Sequence, residues 1–243
     1  TAKNYYKKAL TINSNYAPAL TNLGILELNT DNKQEALSFL IKATESDPNL
    51  APAWNNLAKG YLEIGKRKEA ELSTLKTLEL NPNHLGSNFL LSIILIEKGK
   101  RQEAVKYLRK TIEINPNFAE GHFNLGGIFR ELENLKEAEL STLKALELNP
   151  NFADAHINLG GIFKNRGNLK EAELSTRKAI ALNPDLAEAY SNLGNILSEL
   201  GKPQEAEQPL RKAIELKPDV ADFHSNLGGI LQDLGNLKDA ELS

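Results

Sequence analysis

Apolar residues along this chain recur in two helical patterns within every 34 residues. In the window 153–186, the first pattern consists of Ile157, Leu159, Ile162 and Phe163. The second pattern consists of Leu169, Ala172, Ala179, Ile180 and Leu182. Residues spaced in this way lie on one face of a helix, and Gly167 and Asn168 separate the two stretches. Each window therefore predicts two antiparallel helices joined by a short turn.

Prolines mark the repeat, because six of them stand 34 residues apart. They are Pro48, Pro82, Pro116, Pro150, Pro184 and Pro218. Proline cannot continue a helix but fits the start of the next one, so each proline marks a stop and a restart. One helix pair cannot bury its apolar face alone, and neighbouring pairs must therefore stack. The sequence predicts an all-α solenoid of stacked antiparallel helix pairs.

A single repeat array is predicted over residues 1–243. Its full units are 17–50, 51–84, 85–118, 119–152, 153–186 and 187–220, with partial units at 1–16 and 221–243. Both ends fall inside a second helix, and the chain contains no methionine. We therefore expect these residues to belong to a longer or processed chain.

The residues at fixed places in each unit form a known pattern. In the second full unit they are Trp54, Leu57, Ala58, Tyr61, Ala70 and Pro82. With these residues the chain resembles the tetratricopeptide repeat (TPR) family, although Ala58 replaces the expected glycine. The resemblance covers the whole chain and implies a right-handed α-solenoid whose first helices line a concave face. Thr74, Thr142 and Thr176 stand where the family prefers a large residue, so we expect slightly thinner packing there.

Composition and charge narrow the function. The chain has no cysteine, which excludes disulfides and thiolate metal sites and fits a reducing compartment. Its net charge of −3 and the lack of a basic stripe argue against a nucleic-acid partner. No apolar run is long enough for membrane insertion, and no signal pattern begins the sequence. We expect a cytoplasmic protein.

A row of asparagines is the strongest candidate for a binding site. It consists of Asn22, Asn56, Asn124, Asn158, Asn192 and Asn226. An amide offers both a donor and an acceptor, which matches a peptide unit. The row resembles the asparagine ladder in the TPR domain of O-linked N-acetylglucosamine transferase, and this resemblance implies capture of an extended peptide by its backbone. Alternatively, asparagine merely tolerates a half-exposed helix position, although it costs about half a kcal/mol relative to alanine there.

Acidic residues one turn before the asparagines are expected to flank the same groove. They are Glu120, Asp154, Glu188 and Asp222. Their negative charge favours a basic or neutral polar protein or peptide as the partner. Another branch of the TPR family holds the C-terminal carboxylate of a peptide with lysines near these places, and acids there disfavour that carboxylate-clamp mode. The alternative is that these acids only favour the positive end of a helix dipole.

Glycine pairs stand in the middle of several first helices, at 126–127, 160–161 and 228–229. The first glycine of each pair fits the close helix crossing that the TPR resemblance implies. The second is expected to face the groove and to leave room for a ligand. No Gly-Lys-Ser/Thr sequence follows, so these pairs are not phosphate loops.

A second candidate surface consists of leucines on the second helices. The candidates for this convex interface are Leu72, Leu140, Leu174 and Leu242, with Leu75 and Leu143 beside them. An exposed apolar stripe often marks an interface, here for self-association or for docking of another domain. The alternative is a shallow groove between neighbouring helices that hides much of each side chain.

Catalytic, metal and cofactor sites are not predicted. His122, His156 and His224 share the repeat place of Trp54, which is a packing position, and they lie in different units. We therefore predict a protein- or peptide-binding scaffold or adaptor and no enzyme activity in these residues. Two alternatives stay open: the targeting arm of a larger enzyme such as a glycosyltransferase, and a structural component that self-assembles.

Overall fold

The computed structural model describes residues 1–30 and 32–235, and the regular elements in these ranges are all helices. They are α1 Ala2–Ile12, α2 Ala17–Leu28, α3 Lys33–Ser46, α4 Ala51–Glu63, α5 Arg67–Leu80, α6 Leu85–Glu97, α7 Arg101–Ile114, α8 Ala119–Glu131, α9 Leu135–Leu148, α10 Ala153–Asn165, α11 Leu169–Leu182, α12 Ala187–Glu199, α13 Pro203–Leu216 and α14 Ala221–Asp233. The predicted all-α fold of stacked helix pairs is confirmed. The even-numbered helices begin at the first residue of each predicted repeat, while the assignment of the whole chain to one array stays a prediction.

Two compact units make up the chain. In residues Thr1–Pro116, α2 pairs with α3, α4 with α5 and α6 with α7, and α1 packs on α2. In the unit from Asn117 onwards, here called the C-terminal unit, α8 pairs with α9, α10 with α11 and α12 with α13. The first helices α8, α10, α12 and α14 of the C-terminal unit also contact one another in that order. They therefore form one continuous layer, on which equivalent side chains of successive repeats are neighbours.

Asparagine side chains close the second helices. Oδ1 of Asn149 accepts a hydrogen bond from the backbone N–H of Asn151 at 3.2 Å, and Oδ1 of Asn183 accepts one from Asp185 at 3.1 Å. A side-chain oxygen that binds the backbone two residues on stabilises a turn. The proline inside each turn cannot extend the helix. The Asn-Pro pairs in the sequence therefore end the helices as predicted.

A glycine in the first helix lets the two helices of a pair approach closely. A Cβ atom built on Gly24 would stand 2.5 Å from Cγ of Leu40, and one on Gly194 would stand 2.5 Å from Cγ of Leu210. No real side chain tolerates such a distance. In these two repeats the glycine therefore makes room for the leucine, although it weakens an isolated helix by about 1 kcal/mol relative to alanine.

Threonine replaces leucine at this crossing in three repeats. Thr74 and Thr176 are fully buried, and each hydroxyl donates to a backbone carbonyl of its own helix, at 2.7 and 2.8 Å. A hydroxyl bonded in this way keeps a hydrogen bond on burial. A Cβ atom on Gly160 would collide with Oγ1 of Thr176. The hydroxyl is therefore in close contact with the glycine, while the expectation of slightly thinner packing stays a prediction.

One turn between the helices of a pair is strained. Left-handed glycines, with φ between 73° and 79°, occupy this turn at Gly65, Gly99, Gly167, Gly201 and Gly235. In the repeat 119–152 the equivalent residue is Glu133, with φ of 59°. A side chain with a Cβ costs about 1–2 kcal/mol in this backbone region.

We expect Glu133→Gly to raise the free energy of unfolding by about 1 kcal/mol, because it removes this strain. The gain is smaller than the full strain energy, because glycine also raises the conformational entropy of the unfolded chain. Urea unfolding followed by circular dichroism measures the change. The mirror variant Gly167→Glu serves as the control and should lower stability by a similar amount. Equal stability of Glu133→Gly and the wild type would contradict the strain argument.

A buried carboxylate ties α1 to α2. Glu27 is only 2% exposed, and its Oε1 lies 2.5 Å from Nζ of Lys3. Its Oε2 accepts a hydrogen bond from Oγ1 of Thr30 at 3.2 Å. The hydrogen bond from Lys3 holds the pKa of Glu27 below its usual value of 4.5. Ionisation of Glu27 therefore stabilises the folded state.

The Glu27 pair predicts a pH-dependent stability. A lowered folded pKa adds stability above the unfolded pKa, and this stability is lost as the pH falls through the folded value. Above about pH 5, the urea midpoint of unfolding should therefore be higher for the wild type than for Glu27→Gln. The difference between the two midpoints should become smaller in more acidic buffer. Glu45→Gln, which removes an exposed carboxylate from α3, is the matched control. A gap independent of pH would refute the role of this ion pair.

Candidate functional site

The predicted asparagine row lies on the first helices and is never fully exposed. Asn158 is 5% exposed. The partly buried members are Asn22, Asn56, Asn124, Asn192 and Asn226. Because each stands at the same repeat place, the members of the C-terminal unit follow one another across the layer of α8, α10, α12 and α14.

Some of these amides are held by their own helix. Nδ2 of Asn56 donates to the carbonyl of Pro52 at 2.8 Å, and Nδ2 of Asn124 donates to the carbonyl of Glu120 at 2.8 Å. An amide has a second N–H and an acceptor oxygen, and neither has a protein partner in the described residues. The intrahelical bond thus fixes the orientation of the side chain and leaves groups that could contact a ligand.

Other amides bridge neighbouring repeats. Nδ2 of Asn158 donates to Oγ1 of Thr142 on α9 at 3.0 Å, and Nδ2 of Asn226 donates to Oγ of Ser191 on α12 at 3.3 Å. At the Thr142 place Leu40, Leu108 and Leu210 have no acceptor, whereas Thr74 and Thr176 have one. Asn158 therefore serves first as a contact between helices, and its role in ligand binding stays a prediction.

The predicted flanking acids lie in the first turns of α8, α10, α12 and α14, and all are exposed. They are Glu120, Asp154, Glu188 and Asp222. Oε1 of Glu188 lies 2.6 Å from Nζ of Lys217, and this hydrogen bond lowers the pKa of Glu188. The charge of Glu188 is therefore largely compensated within the protein.

A cavity of about 270 Å³ opens on the first-helix layer of the C-terminal unit. It is lined by Phe123, Gly127, Arg130, Asp154, Ile157, Asn158, Leu186 and Glu188. This cavity, here called the Arg130 cavity, brings together three of the predicted site residues. The predicted second glycine also contributes, because a Cβ atom on Gly127 would meet no atom within 4 Å.

Arg130 is the residue of this cavity that the sequence analysis missed. Its guanidinium lies over the backbone of Gly161, where a Cβ atom would collide with Nη1. Burial lowers the pKa of Arg130, although the group stays charged at any physiological pH. The signal was present, since earlier repeats carry Leu28, Leu62 and Ile96 at this place. A charge where three earlier repeats carry an apolar residue is what could have identified it.

The candidate convex leucines are exposed where the structure describes them. Leu72, Leu140 and Leu174 are 67%, 55% and 73% exposed, and Leu75 and Leu143 are each somewhat above 40%. Leu242 lies outside the described residues. About half or more of each of the three main leucines is therefore in contact with solvent.

The histidines have a structural explanation. Nε2 of His156 lies 3.0 Å from the carbonyl oxygen of Pro150, and Nε2 of His224 lies 2.8 Å from that of Pro218. Trp54 makes the same contact, since its Nε1 donates to the carbonyl of Pro48 at 2.9 Å. No cluster of three or more potential metal-ligating His, Cys, Asp or Glu side chains is found in residues 1–30 and 32–235. None of the helices described has the length and apolar character needed to cross a membrane.

Five family models of this repeat match the chain. Four are described as Tetratricopeptide repeat, at residues 17–50, 89–151, 142–173 and 187–220, and one as TPR repeat, at 161–201. Together they cover 17–50 and 89–220, which is more than half of the 243 residues. No curated protein matches the chain in sequence. The resemblance to O-linked N-acetylglucosamine transferase stays a prediction.

Several solved structures share the fold. YrrB, described as a TPR protein with an unusual peptide-binding site, is 27% identical with a TM-score of 0.68, covering 76% of this chain and 95% of YrrB. A TPR protein from Parabacteroides merdae ATCC 43184 is 20% identical with a TM-score of 0.76, covering 93% and 90%. A chain of the APC/C hetero-tetramer Cut9–Hcn1 is 17% identical with a TM-score of 0.76, and the match spans 95% of this chain but 45% of that one. From its repeats and its fold, the chain belongs to the tetratricopeptide repeat proteins.

Proposed function

We propose that the chain is a protein-binding scaffold and that the first-helix layer of its C-terminal unit holds an extended peptide segment. The Arg130 cavity is the observation that carries this proposal, because it opens among the asparagines and acids of that layer. A cavity with apolar walls and a few polar groups is the usual form of a binding site. A TPR fold is typically a non-catalytic interaction module, which agrees with this role.

Two asparagines, on the first helices before and after that of Asn158, have groups available for a peptide backbone. The second N–H and the oxygen of Asn124 have no protein partner in the described residues, and the same is true of the whole amide of Asn192. Each can donate to a peptide carbonyl and accept from a peptide N–H. YrrB, at 27% identity, is itself described as having a peptide-binding site, which supports the same use of the fold here.

The exposed acids suggest which charges the partner carries at the edge of the groove. Glu120, Asp154 and Asp222 are exposed, whereas Lys217 compensates Glu188. Basic or neutral polar residues of a partner would therefore suit the rim. This attraction should weaken with salt, since exposed charges are screened beyond about 8 Å at physiological ionic strength.

Selection from a displayed library of random peptides of about ten residues, which span about 33 Å when extended, tests the proposal. We expect selected peptides to bind the wild type and to bind Asn124→Ala/Asn192→Ala about thirtyfold more weakly. This estimate takes about 1 kcal/mol for each amide. Fluorescence anisotropy measures both affinities.

Asn165→Ala is the matched control for the peptide test, because Asn165 is exposed at the end of α10 and lies outside the cavity. It should bind as the wild type does. Circular dichroism should show that all variants keep their helix content. Failure to select any peptide, or equal binding by the double variant, would refute the proposed function.

A second candidate function is self-association through the second helices. The exposed side chains of Leu140 and Leu174 support it, because fully burying one leucine is worth about 1.5–3 kcal/mol. The alternative of an enzyme's targeting arm rests on the resemblance of the asparagine row alone and stays a prediction.

Light scattering at increasing protein concentration tests the self-association. We expect the wild type to form dimers or larger species and Leu140→Glu/Leu174→Glu to stay monomeric, because a buried glutamate would lose its hydration. Gln208→Glu adds a charge at the same repeat place on α13, where no leucine stands. This control should assemble like the wild type. A monomeric wild type at all concentrations excludes this second function.

A further inference from the structure

Arg130 is a partly buried cation in the wall of the Arg130 cavity. In residues 1–30 and 32–235, its guanidinium forms no ion pair and no side-chain hydrogen bond, although the charge of the adjacent Glu131 acts on it. A charge that is withdrawn from water without a partner is costly. An unpaired charge in a cavity therefore indicates a site for a group of opposite charge.

The repeat place of Arg130 shows that this charge is not a structural requirement. Three preceding repeats carry apolar residues there. In the following repeat Lys164 occupies the place, but its Nζ lies 3.0 Å from Oε1 of Glu199. Lys164 thus pairs with the next first helix, whereas Arg130 does not. The unpaired cation is specific to one repeat.

Gly161 provides the space that Arg130 occupies. The guanidinium lies on the backbone of Gly161, at a place where any Cβ would collide with it. Phe123, Ile157 and Leu186 form apolar walls around the same cavity. These walls limit the water that reaches the guanidinium, and a charge in such surroundings interacts more strongly than one on the open surface.

The other charges of the cavity do not cancel Arg130. Glu188 is paired with Lys217 at 2.6 Å. Asp154 is exposed and makes no ion pair in the described part of the chain, so solvent and salt screen its charge. Of the three charged residues that line the cavity, Arg130 is therefore the partly buried one, while Asp154 and Glu188 are exposed.

We propose that the Arg130 cavity is a specificity subsite for an acidic side chain of the bound peptide, whose carboxylate pairs with Arg130 and whose methylene groups contact Phe123 and Ile157. A guanidinium can bind a carboxylate through two parallel hydrogen bonds. This inference rests on the proposed function and refines the partner: a segment with one acidic residue at the cavity and basic or polar residues at the rim.

The carboxylate belongs to a side chain rather than to a peptide terminus. Asn124 and Asn192 stand at equivalent places on the helices before and after Asn158, which lines the cavity. A segment held by both amides runs past the cavity in both directions. It therefore presents a side chain to Arg130, because its own end lies elsewhere.

The test uses the peptides selected above, capped by acetylation and amidation so that only side chains carry charge. We expect Asp or Glu to be enriched at one position of the selected set. Replacing that residue by Asn or Gln should weaken binding to the wild type tenfold or more, as expected for a hydrogen bond to a charged group. The same replacement should have no effect on binding to Arg130→Gln.

A glycine variant tests the placement of the guanidinium without removing its charge. Gly161→Ala should displace Arg130 and weaken the acidic peptide about as much as Arg130→Gln does. Gly86→Ala is its control, since a Cβ there makes only an ordinary contact, 3.5 Å from the His84 ring, and Gly86 lies outside the cavity. Lys164→Gln is the control for loss of charge. Both controls should bind the acidic peptide as the wild type does.

The outcomes separate this inference from the proposed function. Peptides that depend on Asn124 and Asn192 but show no acidic preference would refute the subsite and leave the scaffold proposal intact. A preference for an uncapped carboxyl terminus over an internal acid would also refute it. Without any selected peptide, both proposals fail. An acidic preference that Arg130→Gln abolishes supports the subsite.

Discussion

The close crossing of the two helices in each repeat is the contact on which the rest of the structure depends. The first helix carries a small residue at this contact, because a Cβ on Gly24 would come within 2.5 Å of Leu40. Ala58 and Ser92 are fully buried at the equivalent place in the next two repeats. Ala36 and Ala172, on the second helices, are fully buried at the same contact. The first helix thereby buries one face against its partner and leaves another face for its neighbours and for ligands. The position of the asparagine row follows from this division of faces.

Repetition of this crossing places equivalent side chains next to one another, but it does not give them equal surroundings. Asn158 bonds to Thr142 at 3.0 Å, whereas the equivalent Asn192 makes no bond to Thr176 in the described residues. Asn124 instead bonds to its own helix. A row that is regular in sequence is therefore irregular in its hydrogen bonding. Only some of its amides stay free for a partner.

The sequence was sufficient to predict the helices, their ends and their pairing, because these depend on signals that recur in every repeat. The prolines at intervals of 34 residues and the small residue at each helix crossing are such signals. The sequence pattern did not predict the strained Glu133, the bond between Asn158 and Thr142 or the place of Arg130 over Gly161. Each of these depends on how one repeat differs from its neighbours. A pattern common to all repeats does not contain such differences, whereas the structure of each repeat shows them.

These differences between repeats could give the binding site its register. A ladder of identical amides would hold an extended backbone equally well after a shift by one repeat, because amides bind peptide groups of any sequence. A single polar or charged group at one place of a repetitive interface removes that ambiguity, as a lone buried asparagine fixes the register of a coiled coil. Arg130 has this character, since the equivalent Lys164 is already paired with Glu199. The amides would then supply affinity, and one unpaired guanidinium would decide where along the layer a segment comes to rest.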